Sequence, residues 1–552
     1  MGETPMPHGE SMGETPMPRG VMMQHRVIVI GLVLAAAVQA APAGDQLPPG
    51  CKEWKDTDFV HPPLKVMEPY KRIDEYPVVA WCFHGQGAKR VPYDETYARN
   101  AKAAGFNMLI DGASMLEPCR KVGGLKVVVP AFHHGPDRLK AGIFGPHGDH
   151  PCLVGIVTDD NNPRIYPNVI ENAKWITQTY PHIMPWDSEN PDPRTQSKTT
   201  MRVLGTQNYP FMRGSRNPVG DYCFNCWVDR DWGVKADMSV WEIYSGANAF
   251  NQQSFQMLAG LAYGSQGLVN FAYTPHRDTP YHGKMYQPDS PLIPQFKKLH
   301  DYIRLVVGRH LWGTRCINVI HSIHGGDHSK ERWKIQAPTF AADQLVVRGS
   351  EWMMVGLLTP EKRFLAKDTE VPEYFLVIDK RTSGGGAPER RAAYVMFSDR
   401  TPVFEMLDET AVKDAPIRKL VPGWKFRMNS QGGEGVLLRV APDLEQLLGG
   451  KKGLALYAAI NKTMGQLQWK VSPPCPAGQK IEEDKLTHVA IEGKVIDAAV
   501  AQARKDRDAL AKLLDAAVSA GKLTKAQTDD TLKRLDESIA ATAAQAKTPP
   551  AP

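Results

Sequence analysis

Between residues 76 and 315 the apolar positions fall into short unbroken runs, and the stretches between them carry helix-like spacing. Val78-Val79-Ala80-Trp81-Cys82-Phe83 is the first run, followed by a helical pattern from Tyr93 to Ala104 that stops at Gly105. Further strands are expected at Asn107–Asp111, Leu125–Phe132, Leu153–Thr158, His182–Trp186, Arg202–Leu204 running on toward Asn208, Ser239–Tyr244 and Gly267–Tyr273. Helices are expected at Tyr166–Thr179, Gln252–Tyr263 and Ile293–Val307. Continuous apolar strands alternating with helices indicate a parallel sheet covered on its outer face. Eight such units in about 240 residues fit a (β/α)8 TIM barrel. A doubly wound open sheet is the competing architecture, but no Gly-rich phosphate loop follows any strand.

Beyond residue 316 the pattern changes. Short runs at Leu345–Val347, Trp352–Leu358, Tyr374–Ile378, Ala392–Phe397, Trp424–Met428 and Val436–Val440 follow one another without helices, separated by turn-prone segments such as Ser383-Gly384-Gly385-Gly386. This predicts an antiparallel β-sandwich over 316–475. The tail is Ala- and charge-rich, and Val495–Ala520 and Ala526–Gln545 read as a helical hairpin within 485–547, turning near Gly521. Thr524 and Gln527 have the spacing of a capping box at the second helix start.

The amino end resembles an export signal: Arg26 precedes the apolar run Val27–Val38, and Val38-Gln39-Ala40 offers a small-x-small cleavage site. Residues 1–40 are therefore expected to be a leader and signal peptide, with an N-terminal extension over 41–75 before the barrel at 76–315. The run is short for a membrane span, so a secreted or periplasmic protein without a stable membrane anchor is expected. Composition is that of an ordinary globular protein, 42% hydrophobic and 23% charged. A net charge of +6, without a Lys/Arg block, excludes nucleic acid as an expected partner and is compatible with an acidic glycan. The eight cysteines are scattered, and Cys223-Phe224-Asn225-Cys226 is expected to form a local disulfide.

In a parallel barrel, reacting groups stand where the strands end. The fourth strand ends in Asp159-Asp160, two adjacent carboxylates; the competing view is a polar turn, Asp159 to Pro163, that caps the next helix. The other strand ends supply Trp81 and His84, Asp111, His133, Trp186 and Asp187, Asn208 and Tyr209, Trp241, Glu242 and Tyr244, and Tyr273. Carboxylates and aromatics on one rim suit a sugar, whose C–H faces stack on rings and whose hydroxyls donate to acids. Trp227 and Trp232, in the segment before the seventh strand, are further candidate platforms. His133-His134, His147, His150, His321, His324 and His328 lack an H-E-x-x-H helix or Cys partners, so no metal site is expected. No organic cofactor is expected either.

His150-Pro151…Leu153…Gly155…Asp159-Asp160 resembles the "HPALxGYxxxDEP" strand of β-galactosidase-like, family-42-like barrel glycoside hydrolases. Gln207-Asn208-Tyr209-Pro210-Phe211 resembles their "YDxYPF" segment, and the stretch from Gln256 to Tyr273 is similar to their "LAYGAKGIxYFTY" passage. The resemblance spans roughly 76–440. It implies a glycoside hydrolase cleaving O-glycosidic bonds of a poly- or oligosaccharide with retention, Asp160 serving as acid/base and Glu242 as nucleophile. Asp160 stands where that family has Glu, one methylene longer, and Asn161 stands where it has Pro. These departures keep open a second possibility, a non-catalytic glycan-binding protein on a degenerate barrel; a metal-dependent hydrolase is a distant third. Sugar identity, endo or exo action and oligomeric state are not legible.

Overall fold

The structure, a computed structural model, describes residues 53–55, 59–82, 94–132, 134–159, 166–188, 201–211, 215, 217–245, 249–273, 289–322, 346–350, 352–369, 372–383, 388–397, 404–408, 418–440, 443–471 and 491–547. The leader expected over 1–40 lies outside them. Among the described residues no helix is long and apolar enough to cross a membrane.

Eight parallel strands close into a barrel in chain order: β1 (Val78–Cys82), β2 (Met108–Ile110), β3 (Lys126–Pro130), β4 (Leu153–Asp159), β5 (Met184–Asp187), β6 (Val203–Asn208), β7 (Ser239–Ser245) and β8 (Gly267–Tyr273). The strands lack polar alternation because the lumen and the helical ring both exclude water. Three indoles fill the lumen. Trp81, Trp186 and Trp241 come from strands that do not touch, yet their rings lie 6.0 and 5.9 Å apart in sequence along the row. Such contacts form only across the barrel interior. Space for them comes from glycines: a Cβ on Gly205 would fall 2.4 Å from Trp186, and one on Gly267 2.5 Å from Trp241.

Around the barrel the Glu95–Ala103 helix starts on Asp94, whose carboxylate accepts from the Tyr97 amide at 3.0 Å, and it is followed by Gly105 at φ +91°. The Pro218–Lys235 helix, not anticipated from the sequence, begins on the Asn217 cap with proline in its first turn. Cys223 and Cys226 lie one turn apart on it. They are free thiols, as are Cys82, Cys119, Cys152 and Cys316, and all six are buried. The expected Cys223–Cys226 disulfide is thus corrected: a continuous helix holds both as core residues.

The sandwich pairs a six-stranded sheet, order β15-β14-β17-β12-β11-β9, with a three-stranded one, order β10-β13-β16. Its strands are β9 (Thr314–His321), β10 (Val346–Gly349), β11 (Met353–Pro360), β12 (Tyr374–Asp379), β13 (Arg391–Phe397), β14 (Phe404–Leu407), β15 (Lys419–Val421), β16 (Phe426–Ser430) and β17 (Gly435–Val440). Alternate residues of β11 and β12 serve two cores. Met353, Val355, Leu357, Phe375 and Val377 face the sandwich interior, while Met354, Leu358, Tyr374, Leu376 and Ile378 join the barrel core. The larger sheet thereby rests on the barrel's Phe250–Ala262 helix, close enough that a Cβ on Gly356 would lie 2.7 Å from Ala262.

The carboxyl-terminal hairpin forms as expected, from the Gly493–Ser519 and Lys525–Lys547 helices with Gly521 at φ +67° between them. Thr524 and Gln527 make the reciprocal capping bonds, 3.2 and 3.3 Å. A third helix, Lys451–Val471, lies inside the segment assigned to the sandwich and packs with the hairpin instead. Tyr457, Ile460, Met464 and Leu467 share its core with Ile496, Leu510, Leu535 and Ile539. Trp424 joins this core and donates to Thr542 at 3.2 Å, tying the bundle to the sandwich.

Candidate functional site

Paired residues of neighbouring parallel strands share a face, so one inward side chain fixes the orientation of its partners. Trp81 points into the lumen, and its partner on β8 is Phe271. At the carboxyl ends of the strands, Trp81 meets Phe271 edge-on at 5.5 Å and lies nearly parallel to Phe132 at 6.3 Å. Tyr209 stacks on the other side of Phe271 at 5.3 Å. The result is an aromatic floor across the barrel mouth. Phe132 and Phe271 are half-buried, whereas Trp81 and Tyr209 keep only 7% and 5% of their surface. Gln207, inward on β6, donates to the Ser188 carbonyl at 2.9 Å beside this floor.

The floor contains Trp81 and Tyr209 from the expected site. Phe132 and Phe271 were missed, although Phe271 lies in a strand already assigned and shares its register with Trp81. Asp159 is the last residue of β4, its Cα paired with Asp187 of β5. Asp160, His84 and His133 lie outside the described residues, as does the side chain of Asp159.

The remaining candidates occupy other positions. Trp186 and Trp241 are fully buried below the mouth, where they fill the lumen. Asp187, one residue beyond inward Trp186, lies on the outer face and is 4% exposed. Asp111 is buried beside Cys82 and Cys119, where its charge joins burial in pushing both thiols upward. Tyr273 packs on Tyr97 and Phe106 behind the wall, at 5.9 and 5.2 Å. The cause is a register shift on β8: Trp81 pairs with Phe271, but Cys82 pairs with Tyr273, so Tyr273 joins the outward face. Asn208 accepts from Asn225 at 2.8 Å and donates to the Tyr222 carbonyl at 3.2 Å, which anchors the Pro218–Lys235 helix to β6. Tyr244, its partner on β7, is likewise turned outward and buried.

Glu242 requires the largest correction. Trp241 is inward, so Glu242 is outward, away from the mouth. It is 1% exposed, accepts from Thr206 at 3.1 Å, and lies so near the Phe250–Ala262 helix that a Cβ on Gly260 would fall 3.1 Å from its Cγ. Burial pushes its carboxyl up to about 7, against the opposing hydrogen bonds of Thr206 and Cys226. Asp229, buried beside it on the Pro218–Lys235 helix, is pushed well up by burial and then by the charge of Glu242. This pair belongs to the packing between barrel and helices, and Glu242 cannot reach a ligand in the lumen.

The histidines do not converge. His150 bonds Glu117 at 3.2 Å at the opposite barrel end, and His321 bonds Tyr263 at 3.0 Å; His324 and His328 lie outside the described residues. Among the described residues no group of three or more His, Cys, Asp or Glu is placed to hold a metal ion. Trp227 and Trp232 are half-buried on the Pro218–Lys235 helix, apart from the mouth, with Phe224 against Trp227 and Lys235 over Trp232.

No family model matches the chain, and no curated protein matches it. Solved structures similar to it include glycoside hydrolases. A Bifidobacterium dentium β-glucuronidase shares 13% identity over 41% of this chain and 46% of that one, with a TM-score of 0.31. A family-2 β-galacturonidase from Eisenbergiella tayi shares 12% over 40% and 50%, TM-score 0.30. A family-99 endo-α-mannosidase from Bacteroides thetaiotaomicron shares 12% over 40% and 87%, TM-score 0.30. The aligned region spans about half the length of the first two. At these identities no site residue carries over from them.

Proposed function

We propose that the chain is a carbohydrate-active barrel protein, exported by its Val27–Val38 leader, that binds a glycan at the barrel mouth and hydrolyses an O-glycosidic bond with Asp160 as the proton donor. The observation that supports this is the floor of Trp81, Phe132, Tyr209 and Phe271 on the barrel face where β4 ends at Asp159. Half-buried Phe132 and Phe271, backed by buried Trp81 and Tyr209, suit the apolar face of a pyranose. Hydrolysis needs a second carboxyl group, about 5–5.5 Å away for retention and roughly 6.5–9.5 Å for inversion. Since Glu242 lies behind the wall, that partner must come from the segments following the strands.

The placement of Glu242 also favours a second function, glycan binding without cleavage. One experiment separates the two. The full chain is incubated with a panel of neutral and acidic oligosaccharides, and reducing ends and binding heats are both measured. Hydrolysis is expected to vanish in Asp160→Asn, and binding to weaken in Phe132→Ala. Saturable binding with no reducing ends released would replace the hydrolase by the binding protein. No binding to any glycan would remove both.

A further inference from the structure

A second cavity, separate from the mouth, lies between barrel and sandwich and encloses about 1050 Å³. One wall is the amino-terminal part of the Phe250–Ala262 helix together with the Ile293–Tyr302 helix; the other is the β14, β16 and β17 region of the sandwich. The amino-terminal ends of both helices line it, at Phe250 and Leu292, which sets this part of the cleft toward the carboxyl ends of β7 and β8. Its floor is apolar, with half-buried Leu299, Met406 and Met428. Arg390 and Arg427 stand on its rim. The two acids that line it are neutralised, Asp408 by Lys419 at 2.5 Å and Glu434 by Arg390 at 3.0 Å. Arg427 also lines it, and among the described residues it has no carboxylate partner. Arg427 is exposed on β16, and desolvation by its neighbours lowers the pKa of its guanidinium against the opposing influence of Tyr394.

We propose that this cleft is an accessory subsite for an anionic glycan, a chain whose sugar units carry carboxylate or sulfate groups, and that Arg427 grips one of those groups. The proposal rests on the carbohydrate reading of the mouth, from which such a chain would extend. Apolar floor and polar rim match the two faces of a sugar ring, and a planar guanidinium binds carboxylate or sulfate through paired N–H donors.

The test is calorimetry on the full chain with a galacturonate oligomer, a sulfated oligomer and a neutral oligomer of equal length. Wild type, Arg427→Glu, Arg427→Gln and Phe132→Ala are compared, each checked for a native circular dichroism spectrum. The anionic oligomers are expected to bind more tightly than the neutral one, and Arg427→Glu to weaken them about tenfold, the size of one charge-assisted hydrogen bond. Arg427→Gln should weaken them in the same direction, and the tighter of the two anionic oligomers identifies the charged group. Loss of binding in Phe132→Ala with none in either Arg427 variant overturns the cleft and keeps the mouth. Loss in the Arg427 variants alone keeps the cleft and overturns the mouth. Binding of no oligomer overturns both.

Discussion

Replacing Glu242 by Gln is expected to stabilise the protein at alkaline pH. The carboxyl moves from 4.5 in the unfolded chain to about 7 in the fold, because burial disfavours its charge. A raised acid is a liability only once it ionises. Below pH 4.5 both states hold the proton and nothing is lost; between 4.5 and 7 the unfolded chain releases it and the fold does not, so stability falls as pH rises. Above pH 7 the full cost is reached, about 3 kcal/mol at 1.36 kcal/mol per pH unit. Gln has the same shape and no charge, so the cost disappears. The substitution carries its own pH-independent penalty, such as an altered bond to Thr206, and this cancels when two pH values are compared. The stability difference between variant and wild type, measured by urea unfolding with tryptophan fluorescence, should therefore be more favourable at pH 8 than at pH 5 by about 2.5 kcal/mol. Asp229 acts in the same direction, since the charge of Glu242 helps to raise it. An equal effect at both pH values would refute the argument, because it would mean that Glu242 is ionised throughout. Glycan turnover, where present, should survive the change; its loss would return Glu242 to the site.

Three further outcomes follow from the packing. Gly205→Ala should cost about 1–3 kcal/mol in thermal or urea unfolding, because its methyl would meet Trp186 at 2.4 Å in a filled lumen; an unchanged midpoint would mean the indole row is loosely held. Reductant should leave stability untouched and Cys223→Ala should cost only about 1 kcal/mol, against the roughly 2–5 kcal/mol of a lost disulfide; a large reductant effect would restore the Cys223–Cys226 bridge. Asn208→Ala should lower stability by about 1–2 kcal/mol through loss of the helix anchor, with ligand affinity at the mouth unchanged in calorimetry.

The architecture was legible in the apolar pattern alone. Runs such as Val78–Cys82 and Leu153–Thr158 are apolar on both faces, which only a sheet covered on both sides rewards, and their helix-filled spacing left a parallel barrel as the economical solution. The sandwich was legible from its turns, though β9, β14 and β15 were not, since the last two are short and β9 follows the barrel directly. The Lys451–Val471 helix was visible in the spacing of Tyr457, Ile460, Met464 and Leu467 but was absorbed into the sandwich. Pro218–Lys235 carried a weaker signal, because that helix buries residues on several sides. Facing was not legible, because it is set by packing across the barrel. A strand sends neighbours to opposite sides, so Trp241 and Glu242 could not both reach the lumen, and nothing local says which of them does. The choice was made by Trp81, Trp186 and the glycines of β6 and β8, which admit an indole at that level of the barrel. One bulge on β8 then turned Tyr273 outward after Phe271 had pointed in. Facing is a property of how eight strands close around one volume, and each strand learns it only from the others.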